Sequence, residues 1–291
     1  MAGQLEGKVA FITGAARGQG RSHAVRLASE GADIIGIDIC APVDGVEYPM
    51  PDESDLAETA DLVKKHGRRM VTAVADVRDR EGLAAAFNQG VGELGRCDYV
   101  IANAGVMPLF GPRGREFASW QLCLDILLTG VLNTVECSYG QLVRQGEGGS
   151  IVITSSLAGL QPMMVTENAH TYGLLGYSTA KAGLVSLARN YASLLGQHYI
   201  RVNTIHPTGV NTLMCHNDMM DQHWATADPG DSHVVVHAIP VMEVQPEDIS
   251  AAVLWLCSNE SRYFTGHQLP IDAGGHLGGR RAPADWGGSG N

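Results

Sequence analysis

Long hydrophobic runs are missing from this 291-residue chain. The richest apolar stretch, Leu122 to Leu132, is interrupted by Asp125 and falls short of the ~18 residues a membrane span needs. Val9 to Ile12 is too short for a signal-peptide core, and Met1 to Lys8 has no basic lead. Positive charge is scarce as well: 20 Lys+Arg stand against 31 Asp+Glu, a net charge of −11. The basic residues are scattered, with nothing longer than the pairs Lys64-Lys65, Arg68-Arg69 and Arg280-Arg281. A nucleic-acid partner wants a basic stripe, so that class is excluded. Paired cysteines are also absent. The 6 cysteines (40, 97, 123, 137, 215 and 257) form no C-x-x-C, and a chain this long and apolar needs no disulfide staples. The expectation is a cytoplasmic protein with reduced thiols and no membrane partner.

What is present is core material. Hydrophobic residues make up 45% and charged residues 18%, a balance that excludes intrinsic disorder. The 36 glycines follow no G-X-Y period and must serve turns and close approaches. Short β-branched runs at Val9 to Ile12, Asp33 to Ile37, Met70 to Ala75, Tyr99 to Ala102, Ile151 to Thr154, Arg201 to Ile205 and Gln268 to Ile271 read as strands. Helical patterns lie between them at Gly20 to Glu30, Glu53 to His66, Arg80 to Gly92, Phe117 to Arg144, Tyr177 to Leu195 and Pro246 to Cys257. Strands apolar on both faces belong to a covered parallel sheet, and repeated βα units predict a doubly wound α/β fold. Without a linker or repeat, residues 1–291 are expected to form a single domain. Four segments break the rhythm: Cys40 to Asp52, Leu157 to Gly176, Pro207 to Gln245, and the Gly-rich tail 273–291. Ligands bind outside strand carboxyl ends, so 157–176 and 207–245 are the candidate substrate walls. For Cys40 to Asp52, surface insertion and pocket wall both stand.

Thr13-Gly14-Ala15-Ala16-Arg17-Gly18-Gln19-Gly20 joins the first strand to the first helix. Glycine permits the tight turn and a close backbone approach, and the helix start offers unpaired N–H groups to an anion. Gly14, Arg17, Gly18, Gln19 and Gly20 are therefore expected to hold a pyrophosphate. Asp38, which closes the second strand, suits a ribose 2′-OH and repels a 2′-phosphate. Arg17 points the other way, but it can sit in solvent, so NAD is preferred to NADP. Asp76-Val77 is placed to face the adenine, and Asn103-Ala104-Gly105 closes the fourth strand beside the cofactor.

Tyr177-Ser178-Thr179-Ala180-Lys181 puts a phenol and an ammonium at i and i+4, on one helix face. A neighbouring ammonium favours phenolate and is expected to lower the tyrosine pKa, as acid/base work on an alcohol requires. With Ser156 at the end of the fifth strand as hydroxyl donor, these residues form a constellation.

Over essentially its whole length the chain resembles the short-chain dehydrogenase/reductase family. Thr13 to Gly20, Asp76, Asn103-Ala104-Gly105, Ser156, Tyr177-x-x-x-Lys181 and Pro207-Thr208-Gly209 fall in the family's order. The resemblance implies a Rossmann-type, seven-stranded doubly wound sheet, NAD(P)-dependent alcohol–carbonyl redox chemistry, and often a homotetramer. It assigns Tyr177 as proton donor/acceptor and Ser156 as the bond to the substrate oxygen. Lys181 binds the nicotinamide ribose, while Pro207, Gly209, Val210 and Thr212 complete the cofactor contacts. Ser155 competes with Ser156, but Gly159 completes an S-x-x-G frame with Ser156. Gly18 to His23, the Cys40 to Asp52 loop and His206 to Thr212 are similar to the mycofactocin-associated branch that includes carveol dehydrogenases. That branch implies tightly held NAD, a small apolar or terpenoid alcohol or ketone, and a mycofactocin-type redox carrier.

Two departures stand out. The serine-to-tyrosine gap is 21 residues against the usual 13, which places an insertion near Met163 to Leu174. In the family's D-x-N-x-x-G pattern, Leu127 replaces the asparagine that supports a proton-relay water, and Asn133 lies too far round the helix to substitute. The main reading is an NAD-dependent dehydrogenase of a secondary alcohol. An NADPH-dependent ketoreductase and a non-catalytic NAD-binding sensor remain as alternatives. His216, His223, His233, His237 and Cys215 lack any paired zinc pattern, so no metal is expected. The methionines 107, 163, 164, 214, 219 and 220 read as core filler or as an adaptable pocket.

Overall fold

The computed structural model describes residues 3–164, 167, 170–226, 235 and 237–277. Much of the Gly-rich tail, residues 227–234 and 236 of the late loop, and His233 lie outside the described residues. Seven parallel strands form one sheet: β1 (Val9–Thr13), β2 (Asp33–Asp38), β3 (Met70–Val74), β4 (Tyr99–Ala102), β5 (Gly149–Thr154), β6 (Ile200–Pro207) and β7 (Gln268–Ile271). Their order is β3-β2-β1-β4-β5-β6-β7, the expected seven-stranded doubly wound sheet. The order reverses between β1 and β4, which opens a crevice at their carboxyl ends. The inner strands β1, β2 and β4 are buried at every residue, whereas the edge strands β3 and β7 are half-exposed.

Side chains alternate between two cores because the strand period is two. Phe11, Ile35 and Val100 pack on one face against α3 (Arg80–Leu94), α6 (Gly130–Gln145) and α7 (Tyr172–Leu195). Ala10, Ile12 and Ile34 pack on the other against α1 (Gly18–Ser29), α2 (Glu53–Lys65) and α9 (Pro246–Cys257). Three further helices are α4 (Gly111–Gly114), α5 (Phe117–Cys123) and α8 (Asp218–Thr226). α5 runs through a π-helical turn, Leu124–Thr129, into α6, which makes Phe117–Gln145 one long helix. It is apolar enough by composition to cross a membrane, yet half of its apolar window is buried inside the molecule, as in a core helix.

Two helices differ from expectation. α7 opens at Tyr172, five residues before Tyr177, because Thr171 caps it by accepting the Leu174 amide at 3.0 Å. The late loop also contains α8, which its polar sequence did not announce.

Candidate active site

The phosphate turn is built by steric necessity. Gly14 and Gly18 have φ of +71° and +54°, the left-handed region that favours glycine. A Cβ on Gly20 would stand 1.9 Å from the Gly14 carbonyl, so Gly20 packs the helix onto the strand. The first turn of α1 has no side-chain cap and no acidic residue. Its N–H groups and positive dipole end therefore suit an anion. Thr13 Oγ1 accepts the amides of Asn103 and Ala104 at 3.1 Å each, and Asn103 Nδ2 donates to the Thr13 carbonyl at 3.2 Å. These bonds lock the tips of β1 and β4 together.

A cavity of about 420 Å³ opens there. Of the expected cofactor residues, Gly14, Arg17, Gly18, Gln19, Asp38, Asp76, Val77, Asn103, Ala104, Gly105 and Thr212 line it. Gly20, Tyr177, Lys181, Pro207, Gly209 and Val210 are not among its lining residues. Val210 is buried in the core on the α1 and α9 side and bridges Val244, while Pro207 ends β6. The cavity also takes Val43, Tyr48, Met50 and Pro51 from the Cys40–Asp52 segment, which settles that segment as pocket wall. The signal was Val43, Tyr48 and Met50, apolar groups in a Pro-, Gly- and acid-rich loop.

Asp38 is buried, and its carboxylate accepts Ala16 N at 3.0 Å and Ile39 N at 2.8 Å. Burial pushes its pKa up, against those two amides and the nearby Arg17 charge. Arg17 does not simply sit in solvent. Its guanidinium donates to the Pro49 carbonyl and ties the turn to the Cys40–Asp52 wall. Arg78 grips Asp76 with Nε at 2.8 and 3.1 Å from the two carboxylate oxygens. Burial raises the Asp76 pKa, but the Arg78 bonds outweigh it and hold the group below the usual carboxylate range.

Behind the cavity, the end of β5 is clamped to α7. Lys181 Nζ donates to the Thr154 carbonyl at 2.7 Å, and Ser155 Oγ donates to the Lys181 carbonyl at 2.8 Å. Ser155 is thus occupied by the helix backbone, and it is the Ser156 hydroxyl that acts on the Tyr177 phenol, opposing the effect of its burial. The expected lowering of the Tyr177 pKa is corrected by the geometry. Burial drives the phenol up to about 12, with the nearby Ser156 hydroxyl opposing. Lys181 Nζ lies 5.6 Å from the ring centroid, and burial lowers its own pKa to about 8.

Tyr177 also touches an apolar cluster formed by Tyr48, Met107, Leu109, Phe110, Leu174 and Met220, with Met50, Met163, Met164, Met214 and Met219 alongside. All six singled-out methionines meet there, which places them beside Tyr177 rather than inside the two sheet cores. Leu127 is buried in the π-helical turn, with Cδ2 3.0 Å from where a Gly105 Cβ would stand. Asn133 points elsewhere, donating to the Val77 carbonyl at 2.9 Å. Gly130 admits Val77, whose Cγ2 would lie 2.5 Å from a Cβ at that position. Among the described residues, no group of three or more His, Cys, Asp or Glu is placed to hold a metal. His216 instead pairs with Glu243 at 2.6 Å, and His237 meets Thr208 Oγ1 at 2.7 Å.

The family described as enoyl-(acyl carrier protein) reductase matches residues 14–276. An uncharacterized oxidoreductase of Mycobacterium tuberculosis (strain CDC 1551 / Oshkosh) is 49% identical over 271 residues, covering 93% of this chain and 96% of its own. The (−)-trans-carveol dehydrogenase of Rhodococcus erythropolis is 41% identical over 279 residues, covering 93% and 98%. The crystal structure of carveol dehydrogenase from Mycobacterium avium in complex with NAD superposes with a TM-score of 0.85 at 47% identity. It covers 94% of this chain and 99% of that one.

Proposed function

The chain belongs to the short-chain dehydrogenase/reductase family and is an NAD-dependent oxidoreductase, and we propose that it interconverts a small secondary alcohol, cyclic or terpenoid, and its ketone. The observation that carries this reading is Tyr177, near Ser156 and set against the methionine-rich apolar cluster. Such a wall suits an uncharged, compact substrate of variable shape. The carveol dehydrogenases among the similar proteins support a terpenoid alcohol.

Gly14, Gly18 and the α1 amides would hold the pyrophosphate, Asp38 the adenosine ribose, and Asp76-Val77 the adenine. Lys181 would take the nicotinamide ribose. When bound, NAD supplies the hydride acceptor. In the oxidative direction Tyr177 receives the hydroxyl proton as the hydride leaves the carbinol carbon, and Ser156 donates to the same substrate oxygen. Asp38 disfavours the NADPH alternative, since a carboxylate repels a 2′-phosphate. The catalytic set Ser156, Tyr177 and Lys181 disfavours a sensor. A mycofactocin-type carrier as reoxidant, a homotetramer and a cytoplasmic site complete the reading. The carrier rests on the branch resemblance of Gly18 to His23, Cys40 to Asp52 and His206 to Thr212, the homotetramer on the family resemblance, and the cytoplasmic site on composition.

The test is to denature purified protein, identify the released nicotinamide, and follow near-ultraviolet absorbance when trans-carveol is added to intact protein. Released NAD and growing NADH absorbance are expected, with Tyr177→Phe silent but still loaded. Turnover by Tyr177→Phe at the wild-type rate would sink the acid/base assignment.

A further inference from the structure

β6 carries a histidine that the reaction as described does not use. His206 is fully buried, with Nδ1 2.8 Å from the Ser156 carbonyl and Nε2 2.8 Å from Thr204 Oγ1. A carbonyl only accepts, so Nδ1 carries the proton and donates. Nε2 is then a lone pair that receives the Thr204 hydroxyl. The alternative acceptor for that hydroxyl, the His267 carbonyl, lies at 3.4 Å, too far to compete well. Burial lowers the His206 pKa and keeps the ring neutral.

The position of this bond gives it meaning. The β5–β6 ladder ends at Thr154↔Ile205, and Ser155 N to the Ile205 carbonyl at 2.8 Å is the last main-chain bond across it. Beyond that point the chain leaves the sheet in the tight turn Leu157–Gly159, which Ser156 caps. Gly159 N bonds the Ser156 carbonyl at 2.9 Å, but that bond is internal to the turn. His206 supplies the tie from the turn back to β6. Ser156 Oγ already accepts Ala158 N at 3.2 Å, so its own proton remains free to be donated.

We infer that His206 is a positioning residue, a neutral imidazole that pins Ser156 so that its hydroxyl stays aligned on Tyr177 and the substrate oxygen. This rests on the reading of Ser156 as a catalytic donor. Misplacing a reacting group by about 1 Å can cost as much as ~100-fold in rate, and an unanchored turn permits such a shift. The Ser156 carbonyl fixes which ring nitrogen holds the proton, and Thr204 engages the other nitrogen and so helps to hold the ring in place.

The test compares His206→Leu, which removes both bonds, with His206→Asn, whose amide nitrogen can stand near Nδ1, using trans-carveol oxidation by the NAD-loaded enzyme. For His206→Leu we expect kcat to fall about tenfold or more with KM and bound NAD nearly unchanged, and for His206→Asn recovery to within about threefold of wild type. In a Ser156→Ala background His206→Leu should cost nothing further, because it acts through Ser156. A Ser156→Ala enzyme with wild-type kcat would overturn the Ser156 reading itself. An impaired Ser156→Ala beside an unimpaired His206→Leu would overturn this inference alone, as would an equal loss in both backgrounds or an Asn variant as slow as the Leu one. Should His206→Leu fail to fold, Thr204→Val removes only the hydroxyl that steadies the ring at Nε2, and a wild-type kcat there counts against the inference. The ¹⁵N spectrum of the histidines needs no substrate: His206 protonated on Nδ1 is expected, and protonation on Nε2 would overturn the inference.

Discussion

A phenol whose pKa burial has driven up to about 12 is almost wholly in its acid form near neutral pH, and its basic form is scarce. In ketone reduction Tyr177 must be protonated, which it is throughout the range below 12. In alcohol oxidation it must accept a proton, and its ionised fraction grows about tenfold per pH unit below its pKa. Oxidation is therefore expected to climb from pH 7 to pH 10 while reduction stays nearly level. Initial rates in both directions across that range decide the matter. An oxidation rate already level at pH 7 would show a phenol ionised far below 12. The i, i+4 spacing made the Tyr177–Lys181 pairing legible, but spacing does not report burial. Nor does it show that Lys181 spends its proton on the Thr154 carbonyl.

Among the elements, the strands were the most legible, because a strand buried on both faces can hardly hide in a sequence. The start of α7 was not. Gly173 and Gly176 read as loop, yet Cβ atoms there would stand 1.8 Å from the Pro108 carbonyl and 2.9 Å from Trp120 Cα. Those glycines are what lets the helix pack so closely. The wall role of Cys40–Asp52 stayed open for a different reason: its partners, among them Met107 N on Tyr48 Oη at 3.0 Å, lie far away in sequence. The π-helical turn at Leu124–Thr129 carries the leucine that departs from the family pattern. An amide at 127 can hold a relay water that leucine cannot, so Leu127→Asn is expected to raise oxidative turnover and shrink the solvent isotope effect. It should also cost about 1–3 kcal/mol of stability through an imperfectly paired buried amide. Leu127→Ala serves as control, destabilised by about 2–5 kcal/mol with no gain in rate. A wild type with a large substrate-deuterium effect and no solvent effect would remove the limiting-proton idea.

The seam between α1 and α9 holds a second testable group. His23 is fully buried, its Nδ1 2.8 Å from Ser250 Oγ, and burial lowers its pKa to about 3. The unfolded chain, with an ordinary histidine near 6.5, binds more protons between those values, so stability falls as pH drops through that window. At pH 5 the loss from this group is on the order of 2 kcal/mol relative to pH 7. His23→Asn keeps a polar group for Ser250 but does not titrate there. Denaturant unfolding at pH 5 and pH 7 should show the variant losing less than wild type. Equal losses would mean that His23 is not held neutral.

At the scale of the whole molecule, the cavity wall draws on segments far apart in sequence: the turn after β1, the end of β2, the Cys40–Asp52 loop, the ends of β3 and β4, and Asn211 to Met214. A nucleotide lying there bonds them at once and favours the folded state by mass action. At a hundredfold excess over Kd that gain is about 2.7 kcal/mol. For a chain of this size each kcal/mol moves Tm by about 2–4 °C, so nucleotide-free protein should gain roughly 5–10 °C with NAD. NADP should give a smaller shift, because its 2′-phosphate would meet the buried Asp38 carboxylate, whose oxygens are already turned toward Ala16 N and Ile39 N. In Asp38→Ala the repulsion is gone while Arg17 stays. The NAD shift should shrink, the NADP shift should grow, and the two should converge. Thermal melts of both proteins with each nucleotide suffice. A wild type stabilised equally by NADP would show that Asp38 does not set the preference.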